Sequence, residues 1–96
     1  MFASNAERTE WHDCARNDVP IPCHAEYLDS GLIVHWRDGD VQRFTCPDKC
    51  EPNGLRVDEH GDSWQHELFI QGNGGYTNVR TGESLFIPLR PPRAGD

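Results

Sequence analysis

Lysine is nearly absent from this 96-residue chain: Lys49 stands beside eight arginines, and these nine bases face sixteen acids. The formal charge of −7 repels phosphate backbones and anionic membrane surfaces over about a Debye length. The arginines are scattered, so no basic stripe forms, and direct nucleic-acid or membrane binding is disfavoured. Long apolar runs are missing too. No segment approaches the ~20 residues of a membrane helix, and Met1 to Arg8 carries neither a basic start nor a signal-like apolar stretch. Together these absences predict a cytoplasmic protein whose partner is another protein, basic or neutral in charge. Hydrophobic residues make up only 35% and the mean hydropathy is −0.75. Nine aromatics, three of them Trp, supply core volume that the aliphatics do not. A chain this short makes one domain with a modest core, which argues against a deep catalytic cavity.

Three spaced glycines carry the fold signal. Gly39, Gly61 and Gly82 lie 22 and 21 residues apart, each followed by an acid and set between short runs rich in β-branched and aromatic residues. Glycine supplies the positive φ that tight turns demand, so the pattern predicts successive hairpins in an all-β chain. Seven short strands follow from residue 23 onward, arranged as an antiparallel meander that curls into a partly open barrel or small roll. Matching of apolar faces predicts a three-residue Arg37-Asp38-Gly39 loop, with Leu32, Val34, Trp36 and Phe44 on one inner face. It predicts a two-residue His60-Gly61 loop, with Leu55, Val57, Trp64, Leu68 and Ile70 inward. The Thr81-Gly82 hairpin fits two- and three-residue loops alike. Residues 1–22 are polar and proline-containing and read as an irregular arm with a possible short helix from Ser4 or Asn5. Residues 23–90 form the barrel, and the Pro/Arg tail 91–96 cannot pair into a sheet.

In strand count and turn spacing the chain resembles small SH3-like barrels, without a motif, and a fold carries no function by itself. Candidate chemistry is sparse. Cys14, Cys23, Cys46 and Cys50 could hold a structural zinc, with His24, His60 or His66 as substitute ligands; unpaired thiols and disulfides are the alternatives. Cys14 or Cys50 could instead be a reactive thiol of a small enzyme or redox protein. His12-Asp13-Cys14 has the residue types of a nucleophilic triad, but neighbours in sequence rarely face one another. Asp29, Asp38, Asp40, Asp58, Glu59, Asp62 and Glu83 lie in or beside turns, where acids bond their own backbone. Alternatively they form an acidic rim that docks a basic surface. Asp38, Asp40, Glu59 and Asp62, with Trp11 as an aromatic anchor, are the candidate partner-binding residues. Pro88 to Arg93 has the spacing of a polyproline ligand, or simply ends the last strand. The resulting expectation is a non-enzymatic interaction module, an adaptor or inhibitor, binding through its acidic turns and a strand edge, with no catalytic residue assigned. Homo-oligomer formation through an unpaired edge is a further expectation.

Overall fold

A computed structural model describes residues 11–69 and 73–88. Among them the chain forms eight strands and no helix: β1 (His12–Arg16), β2 (Val19–Leu28), β3 (Gly31–Trp36), β4 (Val41–Thr45), β5 (Leu55–Asp58), β6 (Ser63–Leu68), β7 (Asn73–Asn78) and β8 (Ser84–Pro88). Each strand pairs antiparallel with the next. β8 returns to β1 through Phe86 opposite Ala15 and Leu85 opposite Arg16, closing an up-and-down barrel. The antiparallel all-β barrel is as the turn pattern predicts, but it is closed rather than partly open, with one strand more than the SH3-like outline allowed. The short helix at Ser4 or Asn5, Ile70, the 91–96 tail and all but Pro88 of the polyproline pattern lie outside the described residues.

The extra strand corrects the irregular arm. β1 and the first half of β2 form a hairpin whose Asn17 and Asp18 both adopt positive φ, 53° and 67°. That is the two-residue turn whose twist suits paired strands. Pro20 and Pro22 obscured it because proline cannot donate to a ladder. Here they cost nothing: the Pro22 carbonyl accepts from Arg37 N–H at 2.9 Å, so the proline edge faces β3 where that strand has ended. Beyond Cys23, β2 pairs with β3 alone among the described residues.

The β3–β4 hairpin has the predicted three-residue loop, with Gly39 at φ 101° and Leu32 opposite Phe44. At β5–β6 the register differs from expectation. Asp58 N–H bonds the Asp62 carbonyl, leaving a three-residue loop, Glu59 to Gly61, and Arg56 faces Trp64. One residue of slip exchanges the two faces of a strand. Arg56 therefore points inward, while Leu55 is 45% exposed and Val57 only half-buried. Asp58 drives the slip, its Oδ1 accepting from His60 and Asp62 N–H at 2.9 Å and its Oδ2 from Trp64 Nε1 at 2.9 Å. At β7–β8 the loop is four residues long, because Asn78 N–H bonds the Glu83 carbonyl and Gly82 N–H returns to Asn78. Buried Asn78 organises it, its Oδ1 accepting from Arg80 and Thr81 N–H.

The core runs along the barrel axis. Leu32, Val34, Trp36, Phe44 and Trp64 are buried as predicted, joined by Cys14, Cys23, Tyr76, Leu85 and Ile87. Phe44 meets Trp64 edge-on at 5.5 Å and stacks on Tyr76 at 5.7 Å, arrangements that suit aromatic quadrupoles. Leu68 shares the inner parity but is 42% exposed, because it lies where the barrel opens.

Candidate functional site

An up-and-down barrel gathers alternate connections at opposite ends. The β1–β2, β3–β4, β5–β6 and β7–β8 turns share one end, and the β2–β3, β4–β5 and β6–β7 connections share the other.

The turn end brings six of the seven candidate acids together, around a polar depression of about 470 Å³ flanked by Asp40, Asp58, Glu59 and Glu83, but Asp29 lies in the β2–β3 turn at the opposite end. Most of them are already engaged. Arg16 lies over the Trp36 ring at 4.8 Å and bridges Asp38 at 2.5 Å and Asp40 at 3.2 Å. Asp62 pairs with Arg80 at 2.7 Å and accepts from Asn78. Glu59 accepts the Arg43 backbone N–H at 2.9 Å. The carboxyls of Asp38 and Asp62 sit below the usual range, Asp38 through the Asp40 N–H and then Arg16, Asp62 through Arg80 and then Asn78. Turn chemistry thus accounts for these acids. Trp11 lies beside Arg37, whose guanidinium is 5.5 Å from its ring.

The cysteines form two disulfides rather than one four-ligand set: Cys14–Cys23 across β1 and β2, and Cys46–Cys50 within the β4–β5 connection, with Cα separations of 5.7 and 5.2 Å. No free cysteine remains. Among the described residues no group of three His, Cys, Asp or Glu side chains could hold a metal ion. The substitute ligands are dispersed: His24 faces outward beside His35, His60 lies in the acidic turn, and His66 points into the barrel. The His12-Asp13-Cys14 row is split by strand alternation, with Cys14 buried and Asp13 exposed.

The other end, here called the mouth, holds what sequence reasoning missed. An open cavity of about 210 Å³ enters the barrel between the β2–β3 hairpin and β5 to β7, walled by Tyr27, Leu32, Leu68 and Tyr76 and floored by Arg56 and His66. Among the described residues no acidic side chain lines it. Arg56 and His66 are only 5% and 4% exposed. Arg56 Nη1 donates to the Leu55 carbonyl at 3.1 Å and Nη2 to the Glu51 carbonyl at 2.8 Å, which ties the disulfide-bearing connection to the barrel. The other Nη2 contact is His66 Nδ1 at 3.3 Å. No carboxylate lies within ion-pair distance of Arg56 among the described residues.

Burial, and then the Arg56 charge, hold the His66 pKa below its ordinary value, although the Pro52 and Glu51 carbonyls work the other way. The imidazole is therefore neutral near pH 7. Guanidinium only donates, which suits a proton on Nε2, whereas the Pro52 and Glu51 carbonyls suit a proton on Nδ1. Nε2 is buried, with no hydrogen-bond partner among the described residues. It packs against Gly74, where a Cβ would stand 3.0 Å away. Tyr76 tilts against the His66 ring at 4.6 Å, and burial pushes its hydroxyl pKa up to about 12. Tyr27 is likewise raised, by burial first and Tyr76 second.

Comparison with family models, with characterised proteins and with solved structures finds no match. The only sequence signal for this site was the even spacing of Arg56 with Asp58 and of Trp64 with His66, which becomes readable once Trp64 is known to oppose Arg56.

Proposed function

We propose that this chain is a non-enzymatic binding module whose site is the open mouth of the barrel, where it takes a small molecule with an apolar body. The observation that carries the reading is a cavity of about 210 Å³, apolar in its walls, with two buried polar side chains converging at its floor. A pocket that joins apolar walls to a few placed polar groups is the usual form of a ligand site. Its volume exceeds the 150 Å³ at which an apolar protein cavity accepts benzene, so it suits a single ring or a chain of about six carbons. The test is an amide-resolved NMR titration with a neutral apolar probe, benzyl alcohol. Shifts should concentrate at Tyr27 to Leu32, Arg56, His66 to Leu68 and Gly74 to Tyr76. Shifts scattered over the surface, or none at millimolar probe, would remove the reading.

Docking of a basic protein surface on the acidic turns is a second reading, favoured by the convergence of four turns at one end. The partial commitment of those acids to Arg16 and Arg80 weighs against it, and barrel closure removes most of the strand edge that was to accompany it. Capture of a partner at low salt that is lost from Asp40→Asn/Glu59→Gln/Glu83→Gln protein would support it. As the place of action we propose an oxidising compartment rather than the cytoplasm, because two disulfides persist best there.

A further inference from the structure

The two disulfides differ in how far a reagent in solution can reach them. Cys14–Cys23 is sealed in the core, its cysteines 3% and 0% exposed, whereas Cys46–Cys50 joins a buried cysteine to an exposed one. Exchange requires a thiolate to reach one of the sulfurs, so exposed bridges are the labile ones. Cys50 also borders the mouth, with its Sγ 3.7 Å from the Asp29 carbonyl oxygen in the β2–β3 turn. The same bridge sets where the following residues lie. Cys46 is fixed to the barrel by its N–H, which donates to the Ser30 carbonyl at 2.8 Å. The disulfide holds Cys50 to that anchor, and Glu51, next in the chain, presents its carbonyl to Arg56 Nη2 at 2.8 Å. Farther along the connection, Asn53 Oδ1 accepts the Leu68 N–H at 3.0 Å and the Gly54 carbonyl accepts the His66 N–H at 2.9 Å. One covalent bond at the rim therefore stands in series with the contacts that place the floor and the Leu68 wall of the cavity.

From this geometry we infer that Cys46–Cys50 is a site of thiol–disulfide exchange with an external dithiol, and that the state of the bridge controls the mouth, which is formed when the bridge is closed and weakened when it is open. A thiolate of the dithiol attacks Cys50 Sγ and forms a mixed disulfide, while the electron pair of the old S–S bond leaves on Cys46 Sγ, which takes up a proton. The second thiolate of the dithiol then attacks its own partner sulfur, and the pair leaves on Cys50 Sγ with uptake of a second proton. The dithiol ends as a disulfide, and the protein ends as two thiols, richer by two electrons and two protons. With the ring open, Cys50 is no longer held to Cys46, and Glu51 loses what positions its carbonyl on the buried guanidinium. The effect on a ligand rests on the mouth being the binding site; the exchange site does not.

The experiment exposes the oxidised protein to dithiothreitol under native conditions, alkylates samples over time with iodoacetamide and maps the adducts by mass spectrometry. A species alkylated at Cys46 and Cys50 alone should accumulate before Cys14 or Cys23 is labelled. Labelling of all four together, or of Cys14 and Cys23 first, would overturn the exchange site. Amide shifts in the two-thiol species should reach Arg56, His66 and Leu68, and benzyl alcohol should bind it about ten-fold more weakly, the loss expected for one charge-assisted hydrogen bond. Cys46→Ser/Cys50→Ser should reproduce both changes without reductant. Shifts confined to residues 46–50, or an unchanged affinity, would overturn control of the mouth. Should benzyl alcohol bind neither form, the ligand site falls, and the shifts at Arg56 and His66 decide the coupling to the bridge alone.

Discussion

Single residues in this barrel are distinguished by what each polar group does inside. Trp36 and Trp64 are buried with their indole N–H groups bonded to Gln42 and Asp58, so their polar atoms carry no penalty. His66 does carry one. Its folded-state pKa lies below the unfolded value near 6.5, so the unfolded chain binds the proton more readily. Stability therefore falls as pH drops from about 6.5 through the lower folded pKa. Urea midpoints at pH 8, 7, 6 and 5 should decline over that window, and His66→Gln should flatten the decline. Asp38 and Asp62, with lowered pKa values, add a separate loss only below the ordinary carboxylate range. At the alkaline limit the sign is again a loss. Tyr76, held neutral up to about 12, ionises near 10 when unfolded, so stability falls as pH rises through that interval. Tyrosinate absorbance should rise together with unfolding; independent ionisation of Tyr76 in a folded barrel would contradict its burial.

At the scale of elements, loop length sets what each strand buries. β5 is the decisive case, because apolar matching favoured Val57 inside and the Asp58 turn network placed Arg56 there instead. The two registers differ in a substitution. Leu55→Lys should change stability by no more than about 0.5 kcal/mol, as surface replacements do. A loss of about 2 kcal/mol or more would restore the inward Leu55 of the alternative register. The disulfides act on elements as well, and each contributes roughly 2–3 kcal/mol through the shortened unfolded chain. Cys14–Cys23 should contribute the more, because both its cysteines are buried in the core whereas Cys50 is exposed. Cys14→Ser/Cys23→Ser should therefore lower the urea midpoint further than Cys46→Ser/Cys50→Ser. The intact mass of the oxidised chain should fall four hydrogens below that of the reduced chain. Equal masses would dissolve both bridges.

Over the whole molecule, closure is uneven. Among the described residues β2 pairs with β3 at six positions, whereas β4 meets β5 at two and β8 meets β1 at two. Sheets open first where few ladder bonds hold them. Amide exchange should accordingly be fastest among strand residues at Thr45 and Asp58 and at Ala15 and Phe86, and slowest along β3. Uniform protection around the barrel would contradict these seams. The two ends differ in the same uneven way: turns and the Arg16 pairs cover one end, while the β2–β3 hairpin and the β4–β5 connection frame the mouth at the other. The strand class, the three glycine turns and the Leu32-Val34-Trp36 stripe were legible in residue order, since each depends on contacts within a few residues. Turn glycines with flanking acids and period-two alternation are local signals, and local dihedral preference decides them. Closure, the β1 strand behind its prolines, the pairing of four cysteines and the meeting of Arg56 with His66 were decided only by the tertiary structure. Each depends on which distant strands become neighbours, and a one-residue change of loop length at Asp58 reverses which side chains enter the barrel.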